Sequence, residues 1–195
     1  ATGCTIVLFD GSPFHPHPNT LIDLIDSESI TIFGVSAKYL SAIEKEGVTP
    51  CITHDLSSLR SILSTGSPLT QESYRYVYSK FKEDIALQSM SGGTDIISCF
   101  VLGNPLLPVY EGELQSKGLG MAVDVFDDTG EPLTSGKGEL VCTKSFPSRP
   151  TSFWDDPDKL KFKAAYFEKF DNIWAQGDFA ELTEHTGMII HGRSD

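Results

Sequence analysis

The sequence is poor in cations: 15 Lys and Arg face 27 Asp and Glu in 195 residues, a formal charge of −12. Binding a phosphate backbone needs clustered Lys and Arg, so a nucleic-acid partner is not expected. An anionic membrane surface is disfavoured for the same reason. No apolar run approaches the ~18 residues that a membrane helix requires. No basic stretch followed by an apolar one marks a signal peptide. The 4 cysteines, Cys4, Cys51, Cys99 and Cys142, form no CxxC pair, which argues against structural zinc. Three of them sit in apolar, strand-like surroundings and read as reduced, buried thiols of a cytosolic protein. The 5 histidines show no metal-ligand spacing. A Walker-type phosphate loop, a GxGxxG turn and a GxSxG nucleophile elbow are all missing.

What is present suffices for a core, with 39% hydrophobic residues. The first part alternates strand and helix patterns. A continuous apolar run over residues 4–9 reads as a strand buried on both faces. Helical spacing follows over 20–27, a β-branched strand over 30–35, and a helix capped by Ser36 and stopped at Gly47. A strand over 59–63, a helix over 71–82 and a strand over 85–88 complete the alternation. Such order predicts a helix-covered, largely parallel sheet. From about residue 109, glycines punctuate short β runs, clearest at 121–126 and 139–142, with a hairpin turn at Asp128-Thr129-Gly130. A helix is expected over 155–170, with Pro157 in its first turn. The fold class expected is therefore α/β, with an α/β part over 1–110 and a small antiparallel, barrel-like part over 111–195. The chain starts at Ala1 rather than Met and ends on the charged run 191–195, so an internal piece of a longer protein is expected.

Ligands of a parallel sheet bind beyond the carboxyl ends of its strands. Thr65-Gly66-Ser67-Pro68 leaves such an end, and so does Ser91-Gly92-Gly93-Thr94-Asp95. The second stretch joins two glycines to a hydroxyl for phosphate and a carboxylate for magnesium. By itself it is equally a Gly-rich turn capped by Asp. In Trp174-Ala175-Gln176-Gly177-Asp178 a carboxylate after a tight turn could accept two ribose hydroxyls, though a plain β-turn also accounts for it. Arg193 and Asp195 add charge near the end of the chain, and Arg193 alone reads as a surface cation.

The order of these stretches carries more than each one does. STGSPL, SGGTD, WAQGDF and GRSD follow one another as in adenylate-forming acyl-CoA synthetases, which the whole chain resembles. The stretches ILSTGSPL, SGGTDIISCF, PVYEGELQ and GELVCTK are similar to acetoacetate-activating members. The resemblance implies that Gly66, Ser67 and Pro68 lie against adenine, and that Gly92, Gly93 and Thr94 close over adenine and phosphate. It further implies that Thr94 contacts the α-phosphate and that Asp95 holds magnesium at a position where the family usually has Glu. Asp178 is implied as the ribose carboxylate, Arg193 as a second nucleotide contact and Asp195 as a hinge to a further C-terminal domain. The acyl pocket is expected from Gly34, Val35, Thr65 and Gly92. The family often has an aromatic residue at the position of Ser91. Acetate-activating relatives carry Trp where Gly92 stands, so an acid as large as acetoacetate is expected to fit. The implied substrates are ATP, coenzyme A and the acid, with magnesium. The family's phosphate loop with its Lys is expected upstream of Ala1, and its catalytic Lys downstream of Asp195. A sister synthetase for acetate, propionate or another small acid, and a non-catalytic nucleotide-binding lobe, remain as other readings.

Overall fold

The computed structural model describes residues 3–194. Its first half is an α/β unit. Helix α1 (Thr20–Ser27) buries Ile22 and Ile25. Strand β1 (Ile32–Ser36) leads straight into α2 (Ala37–Lys45). The Ser36 hydroxyl accepts the Tyr39 N–H at 3.1 Å, so one orphan donor of the helix start is satisfied. The helix stops at Gly47, whose φ of 69° a side chain would resist. A short turn, α3 (Pro50–Thr53), precedes β2 (Ser61–Thr65). Helix α4 (Gln71–Tyr76) is capped by Thr70, which accepts the Ser73 N–H. It continues into a wider π turn over Val77–Phe81, so the single helix expected over 71–82 changes pitch halfway. Strand β3 (Ala86–Ser89) completes a parallel sheet of order β1-β2-β3. Leu40, Ile43, Ile62, Val77, Phe81 and Leu87 are among the side chains that fill this first core.

The chain then forms two antiparallel sheets. Strand β4 (Ser91–Gly93) pairs with β5 (Ser98–Leu102), which pairs with β6 (Ser116–Lys117). Strands β7 (Val123–Phe126), β8 (Gly136–Cys142), β9 (Trp174–Leu182) and β10 (Met188–Arg193) form a sheet of order β10-β9-β8-β7. The expected turn joins β7 to β8, where the Asp127 carboxylate accepts the Thr129 N–H at 2.8 Å and the Glu131 N–H at 3.0 Å. Ile96, Phe100, Val125, Leu140, Trp174 and Met188 belong to the second core. The mixed α/β class, parallel first and antiparallel second, is the one expected from the sequence.

Three local expectations are corrected. Residues 4–9 form no strand, and Ile6 and Leu8 stand exposed. Apolar content does not make a strand without a paired neighbour, and this run joins no sheet among the described residues. It also leaves Cys4 exposed, as Cys51 is, so the buried-thiol reading holds for Cys142 and in part for Cys99. The helix expected over 155–170 is shorter, α5 (Leu160–Phe167). Asp155 and Lys159 adopt φ of 54° and 57°, which breaks helical continuity ahead of Leu160. The Asp156 carboxylate then accepts the N–H groups of Lys161 and Phe162 at 3.1 and 2.9 Å, capping the helix from outside it. Finally, residues 91–93 are a strand rather than a loop, because Gly92 and Gly93 pair with Cys99 and Ser98.

Candidate functional site

The carboxyl ends of β2 and β3 deliver two segments to one cleft, of about 790 Å³. Thr65, Gly66, Ser67 and Pro68 line one side of it, and Ser91, Gly92, Gly93 and Thr94 another. The third side is the β9–β10 hairpin, through Asp178, Ile190, Gly192 and Arg193. Stretches far apart in sequence thus converge on one cleft. The cleft also takes in Ser89, Met90, Ile97, Ser98, Cys99 and Leu114.

The hairpin explains how two charged groups meet. Arg193 is the register partner of Asp178 across β9 and β10, so both side chains share a face. A register shift between Ile190 and Gly192 bulges β10 just before Arg193. The guanidinium Nη1 donates to Asp178 Oδ1 at 3.3 Å and to the Gln176 carbonyl at 3.0 Å. Ser91 Oγ donates to Asp178 Oδ2 at 3.2 Å, which ties the SGGTD stretch to the WAQGD stretch. Asp178 is buried, and burial pushes its carboxyl above the ordinary 3.8; Arg193 and the Ser91 hydroxyl oppose that rise. Gly177 sits at φ of 77°, which strains any side chain, and a Cβ there would displace the Arg193 guanidinium.

Asp95 is held differently. Its Oδ2 accepts the Tyr166 hydroxyl at 2.5 Å. The Tyr166 ring lies flat on Trp174, with centroids 3.7 Å apart, and the Trp174 indole N–H donates to Gln176 Oε1 at 2.9 Å. Burial, followed by the Asp95 carboxylate, raises the Tyr166 hydroxyl well above its usual range, so it stays a donor. Asp95 Oδ1 takes the space that a Cβ on Gly93 would fill. Asp95 is not among the lining residues of the cleft; it stands behind Gly93 and Thr94.

The acyl-pocket expectations divide. Thr65 and Gly92 line the cleft, whereas Gly34 and Val35 do not. Those two pair with Leu63 and Ser64 of β2. Gly92 does not supply open room as expected. A Cβ there would strike the Ser98 carbonyl and stand 2.7 Å from Cys99 Cα. Glycine is needed here because two backbones approach closely. Asp195, the expected hinge, lies outside the described residues.

Two residues at this site escaped the sequence reading. Tyr166 lay within an expected helix with nothing to set it apart. Glu139 lay at the start of an expected strand. A carboxylate heading the apolar run ELVC was the available signal, since a charge on a buried strand needs partners.

The profile of the AMP-binding enzyme family matches residues 1–147. Among curated relatives, an acetoacetyl-coenzyme A synthetase of Rhizobium meliloti (strain 1021) is 59% identical over 195 residues, covering 100% of this chain and 30% of the relative. An acetoacetyl-CoA synthetase of Gallus gallus is 52% identical over 196 residues, 100% of this chain and 29% of its own. This chain thus spans about 30% of the length of the curated relatives it matches. Among solved structures, acetoacetyl-CoA synthetase from Streptomyces lividans superposes with a TM-score of 0.92 at 43% identity, over 100% of this chain and 30% of that one. An anthranilate CoA ligase bound to anthranoyl-AMP superposes at 0.80 with 20% identity, over 99% of this chain and 35% of that one, a likeness of fold. On the family match and the identities together, the chain belongs to the AMP-binding enzymes.

Proposed function

We propose that this chain is the nucleotide- and acyl-binding part of an acetoacetate–CoA ligase acting in the cytosol. The observation that carries the reading is the convergence of Gly66–Pro68, Gly92–Thr94 and the Asp178–Arg193 pair on one cleft, together with acetoacetyl-CoA synthetases as relatives. The reaction runs in two steps. A carboxylate oxygen of acetoacetate attacks the α-phosphorus of ATP, and the bond to pyrophosphate breaks. The coenzyme A thiolate then attacks the acyl carbon, and AMP leaves with the electron pair of the acyl–oxygen bond.

In this reading, Asp178 accepts the two ribose hydroxyls, and Arg193 favours the ionised form of that carboxylate against the effect of burial. The Thr94 hydroxyl donates to the α-phosphate, where charge builds up in the first step. Gly66, Ser67 and Pro68 pack against adenine. None of these groups is a covalent nucleophile; their work is to position and to bind. Magnesium, when bound, neutralises phosphate charge. No group of three or more potential ligands occurs among the described residues. A magnesium ion would be held here by one carboxylate together with the phosphates and waters. Asp95 is the carboxylate proposed for that part: it stands beside Gly93 just outside the cleft lining, and Tyr166 orients one of its oxygens.

Acid-dependent exchange of labelled pyrophosphate into ATP by the full-length enzyme tests the assignment. The exchange should depend on acetoacetate, with acetate and propionate far less effective. A preference for acetate or propionate would establish a sister synthetase, and no exchange with any acid would establish a binding lobe.

A further inference from the structure

Behind the Gly177 turn lies a carboxylate that the nucleotide chemistry above does not use. Glu139 is 3% exposed and does not line the cleft. Its Oε1 accepts the Gly177 N–H at 2.7 Å. Its Oε2 accepts Lys169 Nζ at 2.8 Å and Ser194 Oγ at 2.6 Å. The Ser194 N–H in turn donates to the Gly177 carbonyl at 2.9 Å. Three donors from three separate segments thus close on one buried carboxylate.

The strand register shows why such a carboxylate is needed there. Pairing of β8 with β9 passes from Glu139↔Phe179 to Val141↔Ala175. Residues 176–178 therefore bulge opposite Leu140 alone, and the ladder between these strands breaks at Gly177. A backbone N–H without a ladder partner needs another acceptor, and the Glu139 side chain supplies it. Charge-assisted bonds of this kind are short and directional. They fix the bulge from which Asp178, the next residue, and Arg193, the residue before Ser194, reach each other.

We infer that Glu139 is a positioning residue of the nucleotide site: it holds the Gly177 bulge and the end of β10 together, so that Asp178 and Arg193 are preset to receive a ribose. The inference rests on the ribose role proposed above. Glu139→Gln in the full-length enzyme tests it. The glutamine oxygen can still accept the Gly177 N–H, but its amide cannot accept from Lys169 and Ser194. The KM for ATP should rise about tenfold, equivalent to about 1.4 kcal/mol, with the KM for acetoacetate and coenzyme A unchanged and the melting temperature retained. Glu139→Asp should recover part of the loss, since the charge returns on a shorter arm. A Glu139→Gln enzyme that melts normally with an unchanged KM for ATP overturns the inference. So does one in which all three KM values rise together as the melting temperature falls, because the role is then structural only. Should Glu139→Gln fail to fold, Ser194→Ala decides, as it keeps the carboxylate and two of its donors: a selective rise in the KM for ATP supports the role, and an unchanged value overturns it. Asp178→Ala is measured alongside. If that variant leaves the KM for ATP unchanged, the ribose reading fails. If it raises the KM while Glu139→Gln does not, only the positioning role falls.

Discussion

Replacing Asp178 with alanine in the full-length enzyme removes the group on which the nucleotide reading turns. Two ribose hydroxyls donating to a carboxylate contribute charge-assisted bonds of roughly 1.5–3 kcal/mol each. Part of that is offset beforehand, because without nucleotide Asp178 already accepts Ser91 Oγ at 3.2 Å and Arg193 Nη1 at 3.3 Å. A net loss of roughly 2–4 kcal/mol is expected, which is roughly 30- to 700-fold in ATP binding at about 1.4 kcal/mol per tenfold. The fold should bear the change, since among the described residues these two side chains hold the carboxylate and burial disfavours its charge. Pyrophosphate exchange at varied ATP reads the effect as a raised KM, and thermal melting controls for damage. A variant that melts normally and shows an unchanged KM for ATP would remove Asp178 from the nucleotide site.

The pH dependence of ATP use follows from the same residue. Its carboxyl is raised above 3.8 chiefly by burial, and only the ionised form accepts both ribose hydroxyls. The KM for ATP should therefore climb as pH falls through that raised value, before exposed carboxylates titrate. A carboxyl whose pKa is higher folded than unfolded contributes stability below the unfolded value and loses it as pH rises through the folded one. Acidification should thus weaken ATP binding without destabilisation from this group, and Asp178→Asn should abolish the trend; a rise in KM that tracks a falling melting temperature would refute it. Asp95→Asn keeps the shape and loses the charge, so activity should drop and added magnesium should recover part of it; wild-type magnesium dependence would make SGGTD a structural turn. Gly92→Ala should destabilise by about 1–3 kcal/mol through overpacking, because its Cβ meets the Ser98 carbonyl. Chemical denaturation measures this, and an unchanged midpoint would show that β4 and β5 part easily.

The sequence carried the framework because local signals and long-range packing agree there. Ser36 caps a helix by its own hydroxyl, and Gly47 ends it by its own φ; both are properties of a few adjacent residues. The three parallel strands were legible for a similar reason, since short connections leave little choice of topology. Residues 4–9 misled because an apolar run states only a preference, and pairing lies elsewhere in space. The start of α5 misled because its cap, Asp156, sits outside the helix, between the left-handed residues Asp155 and Lys159. In the cleft, each motif named its own residues but not the groups that orient them. Tyr166 reaches Asp95 from 71 positions away, and Glu139 reaches Gly177 from 38. Spacing rules of a single helix or strand cannot express either pair. Gly92 was read as space for substrate, whereas the close approach of β5 requires it.

A crystal structure of the full-length enzyme with AMP bound tests the central claim most directly. The account predicts both ribose hydroxyls within hydrogen-bond distance of the Asp178 carboxylate, adenine against Gly66, Ser67 and Pro68, and the phosphate at the Thr94 hydroxyl. AMP seated elsewhere, or a ribose turned away from Asp178 with the Arg193 pair undisturbed, would contradict it.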